Sequence, residues 1–148
     1  IYEGQIAVLG KGPKGDTLRH MAEQEQEHLD YFNAEIVNRR IRPTAMTPVW
    51  HLAGFALGAG TALLGEKAAM ACTVAVEEVI DEHYAAQRDR LEAEESELRD
   101  TIERFRQEEI EHRDIGYEHG AEQAPAYPLL SAAIKRGSKL AIWLSERI

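Results

Sequence analysis

With a single cysteine, Cys72, the 148-residue chain can close no internal disulfide. That residue sits in the apolar run AAMACTVAV, the setting of a core thiol, and a reducing compartment fits it. Basic residues are scarce: 17 Lys and Arg stand against 26 Asp and Glu, a net charge of −9. They form no stripe along which a phosphate backbone could lie, so no nucleic-acid partner is expected. Apolar and polar residues nowhere sustain the period of two that marks a strand. No signal peptide is visible, and the chain opens at Ile1 without a Met, so the expectation is part of a longer product, folded as one domain over 1–148.

What is abundant is helix-forming sequence. Ala, Leu, Glu, Arg and Gln dominate 66–93 and 97–119, and Asp16 is a candidate N-cap for a helix from Thr17 to Arg39. Residues 1–9 read as the end of a further helix. Four core helices result. Residues 44–65 contain no Asp, Glu, Lys or Arg, long enough to raise a membrane span. Pro48 and the glycines weaken a regular helix there, and a single span would put the two halves of the chain on opposite sides of a bilayer. The expectation is burial in the bundle core, with one end exposed at a membrane surface. The tail LLSAAIKRGSKLAIWLSERI mixes Trp143 and aliphatic residues with Lys135, Arg136, Lys139 and Arg147. It reads either as an amphipathic interfacial helix or as a fifth packing helix.

Two copies of Glu-x-x-His stand out, Glu25 with His28 and Glu109 with His112. Twenty Glu and 6 His would produce about 0.8 copies by chance, so either copy alone carries little weight. Together they carry more: Glu25 to Glu109 and His28 to His112 are both 84 residues apart, and both motifs lie in Gln- and Glu-rich surroundings. A step of three turns a helix by about 300°, so Glu and His project from nearly one line and can bind one metal. Two such helices, plus one Glu from each of two others, build the carboxylate-bridged dinuclear site of ferritin-like bundles. Carboxylate oxygen with imidazole nitrogen suits iron or manganese. Ordinary solvated helix charge is the alternative.

The third helix offers Glu77 or Glu78 in TVAVEEVIDEHY, after an apolar run in which a carboxylate must be paired or exposed. Tyr84 and Gln87 repeat Tyr2 and Gln5 at an offset of 82. Glu77 precedes Tyr84 by seven residues, so the repeat places a sixth ligand upstream of Ile1. Glu3 is out of register with that position.

The strings IYEGQIAVLG, EQEHLDYFN, RIRPTAMTPVW, GFALGAGTALLG, MACTVAVEEVIDEHY, FRQEEIEHRDIG, EQAPAY and IWLSERI closely resemble the 5-demethoxyubiquinone hydroxylase family of ubiquinone biosynthesis, over nearly the whole chain. The resemblance implies an all-α, ferritin-like four-helix bundle with an internal two-fold repeat and an additional amphipathic helix. It implies a membrane-bound monooxygenase using two iron ions, dioxygen and reducing equivalents traceable to NADH. The substrate would be demethoxyubiquinone with its polyprenyl tail. Glu25 and Glu109 would then be bridging carboxylates, His28 and His112 imidazole ligands, and Glu77 a terminal carboxylate. His83 and Tyr84 would support the metals or electron delivery. Trp50, Phe55 and Leu57 are candidate lining for the tail. A lipid-binding accessory protein is a partner in organisms that have one, and self-association is left open. The location implied is the cytoplasmic face of a bacterial inner membrane or the matrix face of the mitochondrial inner membrane. A soluble ferroxidase and a noncatalytic lipid- or partner-binding module are the rival functions.

Overall fold

A computed structural model describes residues 1–148 as six α-helices and two short 3-10 turns, with no strand. The helices are α1 (Tyr2–Leu9), α2 (Pro13–Asn38), α3 (Thr47–Leu63), α4 (Glu66–Arg90), α5 (Ser96–Glu118) and α6 (Tyr127–Ser145). α4 is the axis of the molecule and packs against α3, α5 and α6. Its first half is therefore buried all round, and the sequence answers with small residues: Ala68, Ala69, Ala71, Cys72, Thr73, Val74 and Ala75 are all inside. Burial pushes the Cys72 thiol up to about 11, as suits an inert core cysteine. Around the upper end of α4 gather Tyr2, Leu18, Met21, Met70 and Ala124.

α2 begins earlier than expected. Pro13 occupies its first turn, where a missing N–H costs nothing, and Gly12 supplies the positive φ of 78° before it. Asp16 caps nothing and instead pairs with Arg19 at 2.6 Å.

The larger departure is α3. Only Gly58, Thr61 and Ala62 of this helix are buried, while Leu52 is 72% and Leu63 75% exposed. The 44–65 stretch is thus not in the core. A Cβ on Gly58 would lie 2.0 Å from the Ile1 carbonyl oxygen, and one on Gly4 would lie 2.1 Å from that of Phe55. α3 therefore docks on α1 through glycine, backbone to backbone, and Leu52 and Leu63 are left facing out. No helix is long and apolar enough to cross a membrane.

α6 is a packing helix with an apolar outer side. Ser131 and Ile134 are buried, Lys135 pairs with Glu78 and Lys139 with Glu82 of α4, and Leu129, Leu140 and Trp143 remain exposed. Near its end Ser145 accepts a 2.7 Å hydrogen bond from the Trp50 indole, tying α6 to the start of α3.

Candidate metal centre

Between α2, α4 and α5 the interior turns polar. Glu77, Glu109 and His112 are 2%, 1% and 0% exposed, and Glu25 completes a group whose ligand atoms all lie within 4.8 Å of one another. His28 joins from α2, its Nδ1 3.1 Å from Glu109 Oε1. His112 Nδ1 stands 3.6 Å from Glu25 Oε1 and 3.5 Å from Glu109 Oε2. The five residues expected as metal ligands therefore converge. Glu78, one position beyond Glu77 and so turned by about 100°, faces away to Lys135 and accepts a 2.7 Å hydrogen bond from the Tyr117 hydroxyl.

The electrostatics are those of crowded carboxylates. Burial, then repulsion from Glu109 and Glu25, drives the Glu77 carboxyl well above its usual range, although the Tyr2 hydroxyl donates to it at 2.6 Å. Burial likewise raises Glu25. Burial alone would raise Glu109 too, but His112 and His28 outweigh it and bring that carboxyl down to about 2. Burial opposes charge on His112, yet the neighbouring Glu109 and Glu25 carboxylates push it up to about 9. His28 is raised against its burial by Glu109 and Glu108.

Glu109 Oε2 and His112 Nδ1 are buried with no hydrogen-bond partner. Buried polar atoms left unsatisfied are costly, and three clustered carboxyl groups repel one another when ionised. A divalent cation answers both problems, and oxygen with imidazole donors and no thiolate fits iron or manganese.

The repeat extends beyond the ligands. The Tyr2 and His112 rings meet edge to face with centroids 5.8 Å apart, and Tyr84 and His28 do the same at 6.5 Å. Gln5 and Gln87 each bury a side-chain oxygen without a partner. The position at which the repeat would place a sixth ligand lies outside the described residues.

A cleft of about 460 Å³ reaches the cluster from the α3 side. Glu25, Glu77, Glu109 and Tyr84 line it, and so do Trp50 and Phe55. Leu57 does not; it packs against the core at Cys72, Ala75 and Ile134. Nor does His83 reach the cluster. It lines a separate cleft of about 260 Å³ with Lys139, Trp143 and Glu146, and burial keeps its pKa low. Gln24 and Glu108, which sequence reasoning passed over, contact the histidines: His112 Nε2 lies 2.9 Å from Gln24 Oε1, and His28 Nε2 lies 2.6 Å from Glu108 Oε2.

Comparison with known proteins places these residues in context. A family described as Ubiquinone biosynthesis protein COQ7 matches residues 1–145. The chain is 62% identical over 149 residues to the 3-demethoxyubiquinol 3-hydroxylase of Rhodospirillum rubrum, covering 100% of this chain and 70% of that protein. It is 52% identical over 152 residues to the human mitochondrial NADPH-dependent 3-demethoxyubiquinone 3-hydroxylase, again 100% of this chain and 70% of the other. To the mitochondrial 5-demethoxyubiquinone hydroxylase of Saccharomyces cerevisiae it is 39% identical over 165 residues, 100% and 71% respectively.

Proposed function

The chain belongs to the ubiquinone biosynthesis protein COQ7 family, and from that premise we propose that its buried Glu and His cluster holds two iron ions beside which the ring of demethoxyubiquinol is hydroxylated. The reaction class is monooxygenation in ubiquinone biosynthesis. The convergence of Glu25, Glu77, Glu109 and His112 within 4.8 Å carries the reading.

Glu25 and Glu109 would bridge, His28 and His112 would each serve one metal, and Glu77 would be a terminal carboxylate oriented by the Tyr2 hydroxyl. Bound iron supplies the activation of dioxygen that side chains cannot perform. The chain's own residues do the rest. Trp50 and Phe55 would give the ring apolar walls, and Tyr84, edge to face with His28, lines the same cleft beside the cluster. His83 and Tyr84, consecutive on α4, line different clefts, so a part for His83 in electron delivery would run through the α6 side of α4. The two electrons come from a reduced nicotinamide. NADH is the form the resemblance implies, and the name of the human relative says NADPH-dependent.

The exposed Leu52, Leu63 and Leu64, with Trp143 on α6, support docking on one membrane face, from which the polyprenyl tail enters beside α3. A lipid-binding accessory protein or a second copy of the chain would compete for this surface. The face would be cytoplasmic in a bacterium or matrix-facing in a mitochondrion. A soluble ferroxidase gives no use to these residues. Iron assay with Mössbauer spectroscopy on the intact protein, alongside conversion of demethoxyubiquinol, tests the reading. Two coupled irons and ring hydroxylation are expected; at most one iron, or iron oxidation without quinol conversion, would refute it.

A further inference from the structure

Each histidine spends its second ring nitrogen on the opposite motif. His112 Nε2 donates to Gln24 Oε1, and His28 Nε2 donates to Glu108 Oε2. Gln24 and Glu108 are themselves 84 residues apart, each standing directly before the Glu of its own Glu-x-x-His. The hold is therefore crosswise: the residue before Glu25 steadies the α5 histidine, and the residue before Glu109 steadies the α2 histidine. Both contacts leave Nδ1 toward the carboxylates, 3.1 Å from Glu109 Oε1 for His28 and 3.5 Å from Glu109 Oε2 for His112.

The symmetry breaks at the acceptor. An amide oxygen accepts the N–H without charge, whereas a carboxylate draws its proton more strongly and leaves Nδ1 the better electron donor. Glu108 is also held in place, since Arg104 reaches it at 3.1 Å and reaches Glu27 at 2.9 Å. Its side chain is only 17% exposed, so water screens the contact little.

We propose that Gln24 and Glu108 are positioning residues that make the two metal positions unequal, the one served by His28 and backed by Glu108 filling first. This rests on the two-metal reading above. It makes Glu108 a determinant of metal loading, although its own motif assigns it no ligand role.

Anaerobic calorimetric titration of the metal-free intact protein with Fe(II) tests it. The wild type should bind in two resolved steps. Glu108→Gln should weaken the tighter step by about 10–100-fold, the usual effect of losing an outer partner of a ligand, and bring the steps together. Gln24→Glu should tighten the weaker step. The double variant Q24E/E108Q has the wild-type net charge and should separate the steps again, a rescue that damage to the fold could not produce. Steps whose spacing is unchanged in both single variants, or not restored in the double, would overturn the proposal and leave the two-metal site standing. A wild type that takes up one metal or none would overturn both.

Discussion

Glu77, Glu109 and His112 lie 2%, 1% and 0% exposed at the centre of the bundle, while Leu52, Leu63 and Leu64 at its α3 side stand 72%, 75% and 69% exposed. Both regions work against the ordinary sorting of residues by polarity. Inside, clustered carboxylates cost stability unless something positive joins them. Outside, large aliphatic side chains in water cost solubility unless something apolar covers them. The same kind of misfit thus points to a cation in one place and to an apolar surface in the other.

The interior half of this comparison should break most severely at Glu109, the proposed bridge. Glu109→Ala should abolish hydroxylation and iron binding together, a loss well beyond the about 10–100-fold of an outer-partner change, measured by quinol conversion and iron content. Glu77→Gln should lose activity yet raise the thermal midpoint of the metal-free protein by a few degrees, since about 1 kcal/mol moves a domain of this size by about 2–4 °C. The sign follows from its raised pKa. Such a carboxyl is protonated on folding, so metal-free stability falls as pH rises from the ordinary carboxylate range toward the raised value, and the Gln variant should lose that slope.

Metal loading should itself depend on pH. In the metal-free protein His112⁺ among carboxylates adds stability that is complete below its ordinary 6.5 and lost as pH rises through about 9. Iron must displace that proton, so apparent affinity should rise with pH and level off above about 9, as anaerobic titrations at a series of pH values would show. Flat affinity from pH 6 to 9 would remove His112 from the ligand set.

The exterior half is sharpened by Leu52→Ser with Leu63→Ser. Both side chains are exposed, so the fold should survive while vesicle flotation weakens by about tenfold for each leucine, given roughly 1.5–3 kcal/mol for a fully buried one. The smallest effect belongs to Glu78→Ala, which gives up Lys135 and Tyr117 but no contact with the cluster. Activity should change by no more than about threefold, surface pairs contributing about 0–1 kcal/mol.

The convergence of the five Glu and His residues is legible because helical spacing is strict: residues three apart share a line, and an 84-residue repeat copies that line onto a second helix. Adjacent residues resist such reading, because neighbours on a helix diverge by about 100°. Glu77 and Glu78 part ways, as do Tyr84 and His83, and only the packing of α4 decides which faces the cleft. α3 was misread for another reason. A charge-free stretch records that water is disfavoured, not whether a protein core or another apolar surface replaces it. Gln24 and Glu108 were findable, since applying the same 84-residue offset to the residue before each Glu pairs them.

The docking of α3 governs how quickly the cleft can be entered. This helix is fastened twice, by the Trp50–Ser145 hydrogen bond near its start and by the backbone contacts at Gly4 and Gly58 farther along. A wall held at both places does not swing as a hinged lid would, on the microsecond-to-millisecond scale. Admission then falls to side chains at the mouth, such as Phe55, whose rotation takes picoseconds to nanoseconds when exposed. Turnover should accordingly show no slow opening phase, and amides along the second half of α3 should exchange with solvent no faster when quinol is added.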